Sequence, residues 1–353
     1  MDKLPDLRAM PFEDLRKLTI LLGFPPFRAK QIFAWVQRKG VPGTDDMTDL
    51  SVSDRALLAR HAMISGCEIA AKQVSKIDGT VKYLFRLDDG ETIESVVMRY
   101  GYGLSICASA QVGCRMGCKF CASGMGGLVR NLTAGEMLGQ IFAAQHDLRK
   151  KINHMVLMGM GEPLDNYTNV LAFLRLVGDP NGQNMSMRKV SLSTCGLVSM
   201  MHKLSREALP VTLSVSLHAP NNALRSELMP VNQAYPIETL LDACRAYIKT
   251  TGRRISFEYA MFDGRNDTPD CAYALARLLK GMLCHVNLIP ANPVEEHRRR
   301  RSHKDAVRRF QDILEQAGIP ATVRRTLGAD ISAACGQLRR QTDTAQSFGV
   351  QRS

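Results

Sequence analysis

The feature that most limits what this chain can become is an alternation that begins near residue 105. Short β-rich runs, ICASAQV, HMVLM, KVSLST, VTLSVSLH, ISFEYAMF, HVNLIP and ATVRRT, are separated by stretches with helical periodicity. Among the latter are LTAGEMLGQIFAAQHDLRK, YTNVLAFLRLV, PIETLLDACRAYIK, PDCAYALARLLKGM and HKDAVRRFQDILEQAG. The first opens on a capping box, Thr133 at N-cap and Glu136 at N3, which satisfies two backbone donors that a first helical turn leaves bare. Strands and helices in alternation predict an α/β fold with a parallel sheet. Six or so units predict a partial (β/α)6-type barrel rather than a closed eight-stranded one, with the chemistry at the carboxyl ends of the strands.

The first ninety residues read differently. Ile32, Phe33 and Val36 fall at helical spacing after Pro25-Pro26, and SDRALLARHAMI is a second helical stretch. VKYLFRLDDGETIESVVMRY alternates about an Asp89-Gly90 turn and reads as a hairpin. The expected organisation is therefore an N-terminal accessory helical module with a β-hairpin over 1–90, the barrel over 91–336, and a polar C-terminal tail over 337–353. HRRRR at 297–301 reads as a basic loop. Across 353 residues, 46 Lys+Arg stand against 34 Asp+Glu, a net charge of +12 that favours a polyanionic partner, nucleic acid being the commonest. MDKLPDLRAM has no apolar run, and nothing approaches the roughly 18 apolar residues of a membrane span. Ten irregularly spaced cysteines in so long a chain do not make a secreted disulfide scaffold. The expectation is a cytoplasmic protein that keeps some thiols for chemistry.

The densest motif is GCRMGCKFCASG, with Cys114, Cys118 and Cys121 spaced C-x3-C-x2-C. Three thiolates on one tight loop suit a four-iron four-sulfur cluster and leave one iron open for catalysis. A structural zinc site would want a fourth ligand at finger-like spacing, and none follows. MGMGEPL at 158–164 ends the next strand: its glycines allow close backbone approach, and Glu162 can accept from an ammonium. SLSTCG, SVSLHAP and NLIPANP put Ser193, Ser216, His218 and Asn292 at further strand ends. Singly these are ordinary polar residues; as a set they are cofactor contacts. Cys335 in DISAACGQL and Cys107 would each, on local grounds, be small core residues.

In this order and spacing, GCRMGCKFCASG, MGMGEPL, SLHAP, NLIPANP, DISAACGQL and the N-terminal PFRAKQIFAWV resemble the RlmN/Cfr family of radical S-adenosylmethionine (SAM) RNA methyltransferases over nearly the whole chain. The resemblance implies that Cys114, Cys118 and Cys121 ligate one 4Fe-4S cluster, and that Gly161, Glu162, Ser193, Ser216, Leu217, His218 and Asn292 bind SAM. It implies that Cys335 becomes S-methylated, that Cys107 is its disulfide-forming partner, and that Glu94 is the proton acceptor. STCG at 193–196 departs from the STSG of many members.

The chemistry implied is a radical methylation of an electron-poor adenine carbon, with two SAM molecules consumed per turnover and carbon 2 as the expected position. One SAM methylates Cys335. The second yields a 5′-deoxyadenosyl radical that abstracts hydrogen from the S-methyl group, and the resulting methylene radical adds to the base. Glu94 then removes the ring proton, and attack by Cys107 on the Cys335 sulfur frees the product. The implied substrate is large-subunit (23S) ribosomal RNA, with tRNA as a second target, presented as an unstacked adenine. A flavodoxin or ferredoxin would supply electrons. Three alternatives stay open at this point: carbon-8 methylation conferring antibiotic resistance, a radical SAM enzyme acting on a non-RNA substrate, and a non-enzymatic zinc or iron–sulfur protein that binds RNA.

Overall fold

The computed structural model describes residues 4–292, 300–334 and 336–338. Of the expected basic loop, only Arg300 and Arg301 fall within that range; Cys335 and residues 339–353 lie outside the described residues.

The N-terminal module is three helices, α1 (Phe12–Leu21), α2 (Pro26–Ala34) and α3 (Val52–His61). Pro26 opens α2 in the first turn, where the missing N–H has no helical partner to lose. The expected apolar stripe continues through a π turn, Trp35–Lys39, which stops at Gly40 in the left-handed region (φ 67°). Ile32, Phe33 and Val36 are closed off from solvent and pack with Leu7, Leu15 and Leu58 in a core separate from that of the sheet. The apolar pattern of α1 was not part of the sequence expectation.

Four strands follow: β1 (Glu68–Val74), β2 (Val81–Arg86), β3 (Thr92–Tyr100) and β4 (Gly103–Cys107). They pair antiparallel in order, and β2–β3 is the expected hairpin, with Arg86 opposite Thr92. Residue 90 lies inside its turn, and the sheet's hydrophobic core begins at Val81. The ribbon is thus continuous with the barrel sheet.

A two-stranded ribbon, β5 (Gln111–Gly113) and β6 (Leu128–Asn131), brackets the cysteine loop. After α4 (Ala134–Leu148), with its capping box in place, come β7 (Ile152–Leu157), α5 (Tyr167–Val177), β8 (Val190–Thr194), α6 (Val198–Ser205) and β9 (Thr212–Ser216). Then follow α7 (Asn222–Leu228), α8 (Ile237–Thr251), β10 (Ile255–Met261), α9 (Pro269–Leu279), β11 (Cys284–Pro290), α10 (Lys304–Gln316) and β12 (Ala321–Val323). The sheet has ten strands in the order β1-β2-β3-β4-β7-β8-β9-β10-β11-β12, parallel from β4 onward. This is the α/β partial barrel expected, with one parallel strand more than six.

Each barrel strand sorts its residues by face. In β10, Phe257 and Tyr259 join the core beneath the helices, and the Tyr259 ring lies 5.1 Å from Phe310 of α10. Ser256 and Glu258 take the opposite, interior face, which they share with Asn287 of β11. Such a barrel interior is polar and fit for a ligand.

The segment after β12 reaches back to the other side of the sheet. Gly328 N–H donates to Asp78 Oδ2 and Lys76 N–H to Asp330 Oδ2, both at 2.9 Å. Gln337 and Leu338, expected to open a polar tail, pack down instead: Leu338 is buried in the main core and its carbonyl accepts from Ser123 Oγ at 2.7 Å. Among the described residues no helix is long and apolar enough to cross a membrane.

Candidate functional site

A cleft opens at the carboxyl ends of the parallel strands, and the cysteine loop forms one of its walls. Cys114, Cys118 and Cys121 all line it. The loop closes on itself at Gly113 (φ 76°), where a Cβ would run into the Gly127 carbonyl, so only glycine fits. Cys121 N–H donates to the Cys118 carbonyl at 3.2 Å, and Ala122 N–H to the Gly336 carbonyl at 2.9 Å. Desolvation pushes the Cys114 thiol up to about 12, with the charges of Cys121 and Glu162 adding to it, and pushes Cys118 up as well. Among the described residues no three His, Cys, Asp or Glu side chains converge on one metal ion. Three thiols on the wall of one cleft suit a multi-iron cluster, in which each thiolate would take a different iron.

The turn after β7 forms the facing wall. Gly161 holds φ 96°, and a Cβ there would stand 2.5 Å from Gln111 Cβ, so the strand end can pass close by only as glycine. Glu162 is buried, and its carboxylate accepts from Cys195 N–H (2.7 Å) and Leu164 N–H (3.0 Å). Desolvation still raises its pKa, with those hydrogen bonds opposing. Much of the carboxylate is thus engaged in tying the β7 turn to the end of β8, which leaves fewer lone pairs for a ligand ammonium than the motif alone implied.

Ser193, Ser216, His218 and Asn292 all line the same cleft. His218 sits in the left-handed region (φ 56°), and its Nδ1 accepts from Ala260 N–H at 2.8 Å. The ring proton is therefore on Nε2. Desolvation, reinforced by the Arg225 charge, lowers its pKa to about 3, so the ring stays neutral. Phe120 packs edge-on against it, with centroids 4.8 Å apart. Leu217 differs from its neighbours: its side chain is wholly in the core, so anything it offers a ligand comes from the backbone.

Cys107, the last residue of β4, lines the same cleft. Ala334 and Gly336 line the cleft too; position 335 between them is outside the described residues. Glu94 is not on the cleft wall, though Val96 and Met98, next along the same face of β3, are. Glu94 is closed off from solvent, and its Oε1 lies 3.3 Å from Lys82 Nζ.

Residues 109–272 match the radical SAM superfamily, and residues 5–64 match the ribosomal RNA large subunit methyltransferase N-terminal domain. A protein of Caldanaerobacter subterraneus subsp. tengcongensis named "Probable dual-specificity RNA methyltransferase RlmN" is 52% identical over 336 residues, covering 95% of this chain and 98% of that protein. The chain belongs to the RlmN family of radical SAM methyltransferases. The RlmN of Alkaliphilus metalliredigens is 50% identical over 341 residues, 97% of this chain and 96% of that one. The crystal structure of a radical SAM methyltransferase from Sphaerobacter thermophilus superposes with a TM-score of 0.91 at 46% identity, covering 95% of this chain and 99% of that chain.

This RlmN-family cleft holds residues that the motifs did not signal. Glu258, Arg324, Arg325 and Cys195 all line it. Arg225, fully buried, donates to the carbonyls of Cys195 (2.7 Å) and Ser216 (3.2 Å) and so fixes the ends of β8 and β9. A charged residue inside an otherwise apolar strand, as in ISFEYAMF, was the available clue for Glu258.

Proposed function

We propose that this protein methylates carbon 2 of adenine in large-subunit ribosomal RNA, and of a tRNA adenine as its second RNA target, through a methyl group carried on Cys335. The observation that carries the reading is the meeting of three parts in one cleft: the cysteine loop, the strand-end polar set, and Cys107 together with Ala334 and Gly336. A radical SAM enzyme acting on a small metabolite needs the first two parts and has no use for the third.

Cys114, Cys118 and Cys121 would hold a 4Fe-4S cluster, and the polar strand ends would hold SAM. Together these groups supply reductive cleavage of the sulfonium and hence a carbon radical. The remaining steps belong to the chain. The Cys335 thiolate takes a methyl group from a first SAM molecule, since sulfur is a good nucleophile. A second SAM is consumed when hydrogen leaves that methyl group and the carbon joins the base. The Glu94 carboxylate accepts the proton from the substituted ring carbon, with Lys82 as its counter-ion. The one electron left on the base when its proton goes would return to the redox group that the three cysteines would hold. The Cys107 thiolate attacks the Cys335 sulfur, the carbon–sulfur pair leaves with the carbon, which takes a proton to become the methyl group, and a disulfide forms that an external thiol reductant reopens. A flavodoxin or ferredoxin supplies the electrons in a cytoplasmic setting. The helical module and the +12 charge hold RNA phosphates without reading sequence.

The test is Cys107→Ala. With no thiol to resolve the thioether, the variant should accumulate a covalent protein–RNA adduct, seen as an RNase-sensitive shift on a denaturing gel. Cys335→Ala should give neither adduct nor product. Undiminished turnover by Cys107→Ala would contradict the reading.

A further inference from the structure

Glu258 stands on the interior face of β10 and lines the cleft, yet it is only 3% exposed. Its Oε1 is well supplied, accepting from Asn287 Nδ2 at 2.9 Å and from Ser256 Oγ at 3.4 Å. Its Oε2 is buried and accepts no hydrogen bond among the described residues. The Arg324 guanidinium comes to 3.9 Å of it, an ion-pair distance too long for a hydrogen bond. A buried carboxylate oxygen left without a donor is costly, and folded proteins retain one where something else supplies the donor.

The address of Glu258 says what supplies it. Glu258 pairs in register with Ser216 on β9, and its carbonyl accepts from Leu217 N–H (3.1 Å) and His218 N–H (3.3 Å). The orphan oxygen is therefore one strand away from the Ser216–His218 end. SAM offers three kinds of donor: an ammonium, an adenine amine and the ribose hydroxyls. An ammonium would face the like charge of Arg324, and the adenine amine can answer that guanidinium only through a second atom, ring N1 or N7. A hydroxyl donates and accepts, so it can donate to Glu258 Oε2 and accept from Arg324 across their 3.9 Å gap. Carboxylates elsewhere take nucleotide ribose hydroxyls in this way.

We propose that Glu258, with Arg324, is the ribose-binding pair of this cleft, Oε2 accepting from a ribose hydroxyl of SAM. The inference rests on the reading that the cleft binds SAM.

The test measures binding to the cluster-loaded protein without oxygen and without RNA. Dissociation constants by equilibrium dialysis are compared for SAM and its 2′-deoxyribose and 3′-deoxyribose analogues. Wild type should bind SAM at least about 10-fold more tightly than one of the analogues, the scale of one hydrogen bond to a charged group. In Glu258→Gln, the amide oxygen stays on Asn287 and an NH2 replaces the orphan acceptor. That variant should bind SAM about 10- to 100-fold more weakly, and its preference for ribose over deoxyribose should vanish. Arg324→Met, at a partly exposed position, should reduce the same preference. Equal binding of all three compounds by wild type overturns the proposal, as does an unchanged preference in Glu258→Gln. Because no RNA is present, the assay is blind to the identity of the methylated base. Failure of wild type to bind SAM at all would instead count against the proposed function.

Discussion

Lys82 Nζ lies 3.3 Å from Glu94 Oε1, and both side chains are shut away from water, at 7% and 0% exposure. They come from neighbouring strands of one hairpin, Lys82 opposite Val96 and Leu84 opposite Glu94, so the contact is a diagonal one on a single face. Lys82 also donates to the Ser332 carbonyl at 3.4 Å, in the segment that leads to Cys335. One ammonium thus touches both the carboxylate proposed to take the proton and the segment that leads to the proposed methyl carrier.

Removing that ammonium should be expensive. Lys82→Met takes away one half of a buried ion pair, and such losses run to about 3–5 kcal/mol. Urea unfolding should show most of that loss in Lys82→Met. The double variant Lys82→Met/Glu94→Gln should recover much of it, because both halves of the pair are then neutral. Methylation should fall in both. Equal stability of the single and double variants would mean that the pair is not coupled.

The cluster assignment makes a sharper demand. Wild type purified without oxygen should carry iron and sulfide near four each per chain, the content of a single cubane. Replacing any one of Cys114, Cys118 or Cys121 with Ala should abolish iron binding and reductive SAM cleavage. A variant that still cleaves SAM reductively would show that its cysteine is not a ligand.

His218 sets an acid limit on stability. Its folded pKa is lowered to about 3 from an ordinary 6.5. Between those values the unfolded chain takes up a proton that the folded chain refuses, so stability falls as pH drops through that window. The limiting slope is about 1.4 kcal/mol per pH unit. His218→Asn keeps an acceptor for Ala260 N–H and suits the left-handed backbone. Comparing urea midpoints of wild type and variant at pH 7.5 and pH 5 removes contributions common to both. The variant should lose less on acidification, and parallel losses would contradict the assignment.

What the sequence conveyed and what it withheld follow from the range of the interactions. Cys114, Cys118 and Cys121 are local in sequence, so their spacing alone conveyed their proximity. The barrel strands were legible because they are short β-rich runs set between stretches of helical periodicity. β1 alternates only weakly because it is an exposed edge strand, and α6 and α7 are too short to show a period. The Lys82–Glu94 contact depends on hairpin register, and the Glu258–Arg324 pair on which strands become neighbours. Neither is written in the spacing of residues along the chain.

The methylated carbon of the RNA product tests the chemistry most directly. Expression of this chain in a host that lacks its own enzyme, followed by nucleoside mass spectrometry of ribosomal RNA and tRNA against both standards, reads the methylated carbon. The account predicts 2-methyladenosine in both RNA pools, absent when Cys335 is replaced by Ala. Finding 8-methyladenosine as the main product, or no modified adenosine in either pool, would contradict it.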